Sequence, residues 1–184
     1  VTTDANGNYS FPRQSAGSSY TVCESQPAAY ADGATHPGVG AQSSASGVIV
    51  ISSLPTSGSP NNNFGERAGS LSGHVFLDLA NDGARAGDPP LANVKITLSG
   101  TDINGQFINL STSTDALGQW RFTDLPAGSA AGYTVREQID QPLYNGSSTA
   151  NGQTMAGTFG GQATSPAQQP SAISAINLAV GANG

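Results

Sequence analysis

The chain has 184 residues, 36% of them hydrophobic and 10% charged, and carries a formal net charge of −6. One lysine and five arginines offer no basic stripe for phosphates, which excludes a nucleic-acid-binding surface, and no apolar run approaches the roughly 20 residues of a membrane helix. The hydrophobic content separates it from disordered chains, and a single cysteine, Cys23, leaves neither an internal disulfide nor a cysteine-based zinc site.

In chain order, "TTDANGNYSF" opens in what reads as a strand, broken at Asp4–Gly7 by a tight turn. "SSYTVCES" and "GVIVISSL" follow as short apolar runs, and "NNNFGER" closes this stretch. After a junction near Arg67–Ser70 comes "SLSGHVFLD", then the acidic loop "DLANDGARAGD". In "NVKITLSG" the alternation sets Val94, Ile96 and Leu98 on one face, with Lys95 and Thr97 on the other. "QWRF" turns Trp120 and Phe122 inward, and "GYTVRE" does the same with Tyr133 and Val135. A long Gly-, Ser- and Gln-rich stretch over residues 146–170 precedes a last apolar run, "SAINLAV". Helical periodicity is absent. Many short strands separated by turn residues predict an all-β fold of antiparallel sandwiches.

The chain repeats itself. "STDALGQWRF", "SAAGYTVREQ" and "DQPLY" restate "TTDANGNYSF", "AGSSYTVCES" and "QPAAY". Tyr9 thereby corresponds to Trp120, Phe11 to Phe122, Tyr20 to Tyr133 and Glu24 to Glu137. Self-similarity at this length means tandem domains. The expected division is residues 1–67, the back portion of one sandwich, and 68–184, a second sandwich without its closing strand. Interrupted sandwiches expose strand edges and half a core. Two explanations stand: the chain is a segment of a longer protein, or neighbouring subunits supply strands to one another, head to tail, as a filament.

The run "GSLSGHVFLDLANDGARAGDPPLANVKITLSG", then "STDALGQWRFTDLPAG" and "GYTVRE", resembles the SdrD B-like domain, the B-type repeat of bacterial serine–aspartate-repeat adhesins, related to collagen-adhesin B-type stalk domains. The resemblance covers Gly69 to about Tyr144, and the preceding "NFGE" is also similar to the family. It implies tandem immunoglobulin-like or prealbumin-like sandwiches, exported and strung along a cell surface or fibre, with calcium stiffening the unit. Its partners would be neighbouring repeats or identical subunits.

The resemblance also implies a calcium loop akin to an EF-hand, with oxygen ligands at alternate positions and a Gly at the bend. In "DLANDGARAGD", Asp78 matches the first ligand, Asp82 the fifth position and Gly83 the bend; the carbonyl of Ala84 serves as backbone ligand and Asp88 closes the shell. Two departures stand out: Ala80 replaces an oxygen ligand, and the closing acid is Asp, one residue early. The alternative is an Asx-stabilised turn without metal. A second family device, an isopeptide bond between Lys and Asn assisted by a buried Glu, lacks its amine. Glu24 and Glu137 have the right parity, but the only lysine, Lys95, lies on an outward face.

No catalytic constellation presents itself. His36, before a proline in an expected loop, and His74, in an expected strand, have no nucleophile motif or metal-spaced partner. Cys23 reads either as a small side chain or as an intermolecular bridge. Two functions are left: a non-enzymatic stalk or spacer, extracellular and able to polymerise by strand exchange, or a calcium-dependent glycan- or protein-binding module using the 146–170 stretch, whose one aromatic is Phe159.

Overall fold

A computed structural model of the chain describes residues 1–80, 82–138, 154–164 and 171–184. Every regular element among them is a strand, and no helix is long and apolar enough to cross a membrane. The residues form two compact units, 1–26 with 32–66, and 27–31 with 67–184.

In the first unit β1 (Tyr20–Cys23), β4 (Val48–Ile51) and β3 (Gln42–Ala45) make one sheet in the order β1-β4-β3. Tyr20 stands opposite Ile51 and Cys23 opposite Val48. β4 buries Ile49 and Ile51 and leaves Val48 and Val50 half-covered, the period-2 pattern of a strand. A second pair joins β2 (Ala31–His36) to β5 (Asn63–Arg67). His36 thus ends a strand instead of lying in a loop; Pro37, without an N–H, stops the ladder after it. The opening residues also depart from expectation. Asp4–Gly7 does turn, but Tyr9–Phe11 belongs to no described strand, because no described strand lies beside it to take its backbone hydrogen bonds.

The second unit is an antiparallel sandwich. One sheet runs β11 (Gln162–Ala163), β12 (Ala172–Ile176), β10 (Gly128–Gln138), β7 (Lys95–Asp102) and β8 (Phe107–Ser113), in that order. The other pairs β6 (Gly69–His74) with β9 (Gln119–Leu125). Their facing side chains form the core: Leu71, Val94, Ile96, Leu98, Phe122, Leu125, Tyr133, Val135, Ile176 and Leu178. The inward faces read from "VKITL", "QWRF" and "YTV" are those the structure buries, Trp120 only partly. The last strand starts before "SAINLAV", at Ala172, and Leu178 is buried beyond its end. Residues 27–31 join this unit because the Ala127 N–H donates to the Ala29 carbonyl at 2.8 Å and Ala29 is buried.

One three-strand order occurs in both units. The order β10-β12-β11 repeats β1-β4-β3, and Tyr133 faces Ile176 as Tyr20 faces Ile51. The turns repeat as well. Asp115 Oδ1 accepts the N–H groups of Leu117 and Gln119, and Asp4 Oδ1 those of Asn6 and Asn8. Gly118 and Gly7 supply the positive φ these turns demand.

Candidate metal centre and its surroundings

The acidic loop leaves the sandwich after β6 and returns through an isolated antiparallel bridge between Phe76 and Pro90, reinforced by the Leu77 N–H donating to the Pro89 carbonyl. This clamp brings the loop's two ends together. Carboxylate oxygens of Asp78, Asp82 and Asp88 lie within 4.8 Å of one another. Asp78 and Asp88 are half-buried and Asp82 is exposed.

Local hydrogen bonds shape the loop. Asp78 Oδ1 and Oδ2 accept the N–H groups of Asp82 and Gly83, each at 3.0 Å. Asp82 Oδ1 accepts the N–H of Ala84 at 2.7 Å. Asp88 Oδ1 lies 3.4 Å from the Leu79 nitrogen, and Gly83 takes a φ of 72° at the bend. The three side chains proposed from sequence are therefore together, with Ala84 beside them on the chain. Ala80 contributes no side-chain oxygen.

Calcium takes oxygen ligands at about 2.3–2.6 Å, so ligands on opposite sides of an ion stand about 5 Å apart. Three carboxylates within 4.8 Å fit that sphere. The same oxygens also satisfy backbone donors as an Asx turn does without metal, so the geometry accommodates both readings.

Each unit has one further acidic feature. In the second, Glu137 lies on the inward side of β10 beside a cavity of about 350 Å³ that Leu71, Trp120, Ile96 and Ile176 also line. Burial pushes its carboxyl up, and a hydrogen bond with Ser171 draws it part of the way back. Lys95 stands exposed on β7, away from that inward face. In the first unit Glu24 shares its surroundings with Glu66 and Asp32. Burial, then a hydrogen bond with Glu66, then the neighbouring negative charges push its carboxyl up to about 7. Cys23 is exposed on β1.

Of the long stretch at 146–170, residues 146–153 and 165–170 lie outside the described residues. Phe159 is described, and it packs half-buried against the second unit's core.

One repeated feature escaped the sequence reading. "TDINGQ" at Thr101–Gln106 is a third turn of the same kind: Asp102 Oδ1 accepts the N–H groups of Asn104 and Gln106 at 2.9 and 2.7 Å, and Gly105 has a φ of 82°. The T-D-x-x-G spacing was the available signal.

Among curated proteins the chain is 34% identical over 139 residues to the bone sialoprotein-binding protein of Staphylococcus aureus strain MRSA252, covering 73% of this chain and 12% of that one. Serine-aspartate repeat-containing protein E of strain N315 matches with the same identity and coverage, and that of strain USA300 at 33% identity. The chain spans about 12% of the length of these relatives. No family model matches it, and no solved structure does at comparable significance.

Proposed function

We propose that this chain, which carries a B-type domain of the serine–aspartate-repeat adhesin family, works mechanically, as a stalk or spacer segment of an extracellular adhesin or fibre. The observation that supports this is the recurrence of one strand arrangement, β1-β4-β3 and β10-β12-β11, with equivalent tyrosines facing equivalent isoleucines. A spacer needs repeated sandwiches and no reactive centre, and the reading is accordingly non-enzymatic. Its partners are neighbouring repeats or identical subunits, joined where a strand of one completes the sheet of another. Calcium at Asp78, Asp82 and Asp88, with the Ala84 carbonyl, would tie the loop's ends together and stiffen the second unit.

Stretching single molecules of the chain tests the mechanical reading. Two separate rupture steps, one per unit, are expected; extension at negligible force in both would remove it.

The name of one relative records binding to bone sialoprotein, which favours a second reading as a calcium-dependent glycan- or protein-binding module. That reading requires saturable affinity for such a ligand, lost when residues 146–170 are deleted.

A further inference from the structure

Two of the three T-D-x-x-G turns place an asparagine directly before the glycine, Asn6–Gly7 and Asn104–Gly105, whereas the third has Leu117 before Gly118. A glycine, having no Cβ, leaves its backbone nitrogen unshielded, and that nitrogen can attack the side-chain amide of the asparagine before it. The glycine nitrogen bonds to the asparagine Cγ, the Cγ–Nδ2 bond breaks, and ammonia leaves with the backbone proton. The resulting succinimide adds water at either carbonyl and opens to aspartate or to isoaspartate.

The two sites are held with different firmness. At the second, the Gly105 N–H donates to the Asp102 carbonyl at 3.0 Å, which occupies the attacking nitrogen. Asp102 Oδ1 holds the N–H groups of Asn104 and Gln106, and the Ile103 N–H is tied to the Ala127 carbonyl at 3.0 Å. Asp102 is 5% exposed, and the β7–β8 ladder begins at once with Thr101 opposite Phe107. At the first, the Gly7 N–H donates to the Asp4 carbonyl at 3.0 Å and Asp4 Oδ1 holds the N–H groups of Asn6 and Asn8. Residues 1–8 are all exposed, however. Asp115, at the equivalent turn of the second unit, is exposed too, so water reaches this turn position in both units. Water can take over the bonds of an exposed turn, which therefore opens at little cost; the bonds of a buried carboxylate have no such substitute.

We infer that Asn6–Gly7 is a self-modifying site, converting to aspartate or isoaspartate in the folded chain, and that the Asp102 turn guards Asn104–Gly105 against the same reaction. Isoaspartate adds one methylene to the main chain. At Asn104 that carbon would enter the hairpin between β7 and β8 and disturb its register, whereas at Asn6 it falls in an exposed turn. Asp102 thus acts as a positioning residue, through the Gly105 nitrogen that it keeps engaged.

The full chain is aged in neutral buffer, folded and unfolded in guanidinium, and conversion at each asparagine is followed by peptide mapping with mass spectrometry. In the unfolded chain the two sites should react alike. In the folded chain Asn6 should keep close to its unfolded rate, while Asn104 should fall behind its own by roughly tenfold or more. Asp102→Ala should bring Asn104 of the native-buffer sample up to the rate of Asn6, with circular dichroism reporting whether the variant is folded. The comparison within the native chain needs no variant and decides the matter by itself if Asp102→Ala does not fold. Asn104 reacting as fast folded as unfolded, Asn6 protected as strongly as Asn104, or a folded Asp102→Ala chain whose Asn104 stays inert overturns the inference.

Discussion

Gly73 sits directly across the β6–β9 ladder from Trp120, and the indole occupies the space a side chain on residue 73 would need. Trp120 is itself packed against the second unit's core and 5.8 Å from Phe122, so it cannot move aside without disturbing its neighbours. Gly73→Val should cost roughly 1–3 kcal/mol, the usual penalty of overpacking. Calorimetry should show a midpoint several degrees lower for the second unit; an unchanged midpoint would mean that the ring is free to swing away.

The three T-D-x-x-G turns should not be equal. In each, one aspartate oxygen holds two backbone N–H groups. Asp102 is buried, whereas Asp4 and Asp115 are exposed. Water can replace the carboxylate at an exposed turn but not at a buried one. Asp102→Ala should therefore cost about 1–3 kcal/mol, and Asp115→Ala and Asp4→Ala less. Denaturant titration of the three variants checks the order, and a larger loss at Asp115 than at Asp102 would contradict it.

Glu24 gives the first unit a pH dependence of definite sign. Burial, with Glu66 and Asp32 nearby, raises its folded value from 4.5 to about 7. Between those values the folded chain holds more protons than the unfolded one, so this contribution is full below about pH 4.5 and lost as pH rises through 7. The site lies near the surface, which limits the effect to about 1 kcal/mol or less. Glu24→Gln should melt at a higher temperature than the native chain at pH 8 and lose that advantage at pH 4.5. Parallel melting curves across this range would show that Glu24 is not the group responsible.

Calcium is tested by chelation. Weak extracellular modules bind with dissociation constants of about 10⁻⁴–10⁻³ M; at about 10 mM calcium, the tighter end of that range adds about 2.7 kcal/mol. The native chain should lose midpoint when chelator replaces calcium, and Asp78→Ala should melt alike in both. A native midpoint indifferent to chelator leaves the loop as an Asx turn alone.

Much of the second unit was legible in the order of its residues. Alternation along "VKITL" and "YTVRE" is enough to say which side chains turn inward, because successive residues of a strand point to opposite faces. The acidic loop was legible as a candidate through its resemblance to the family's calcium loop, whose positions Asp78, Asp82 and Asp88 match closely in sequence. Their convergence was not legible. It depends on the Phe76–Pro90 bridge, whose partners flank the loop fourteen positions apart and carry no pairing signal of their own in the sequence.

The amino-acid order alone determined the inward faces of "VKITL", "QWRF" and "YTV" and the turns at Asp4 and Asp115, since each depends on residues within a few positions of one another. Only the folded structure decided that Phe122 is covered and Phe11 is not, that residues 27–31 pack with the second unit, and that three aspartates meet. Burial is conferred by whatever lies across the sheet, and the identity of that neighbour is a long-range property. Phe11 and Phe122 occupy equivalent places in the repeat; among the described residues β6 lies beside Phe122, and no strand lies beside Phe11.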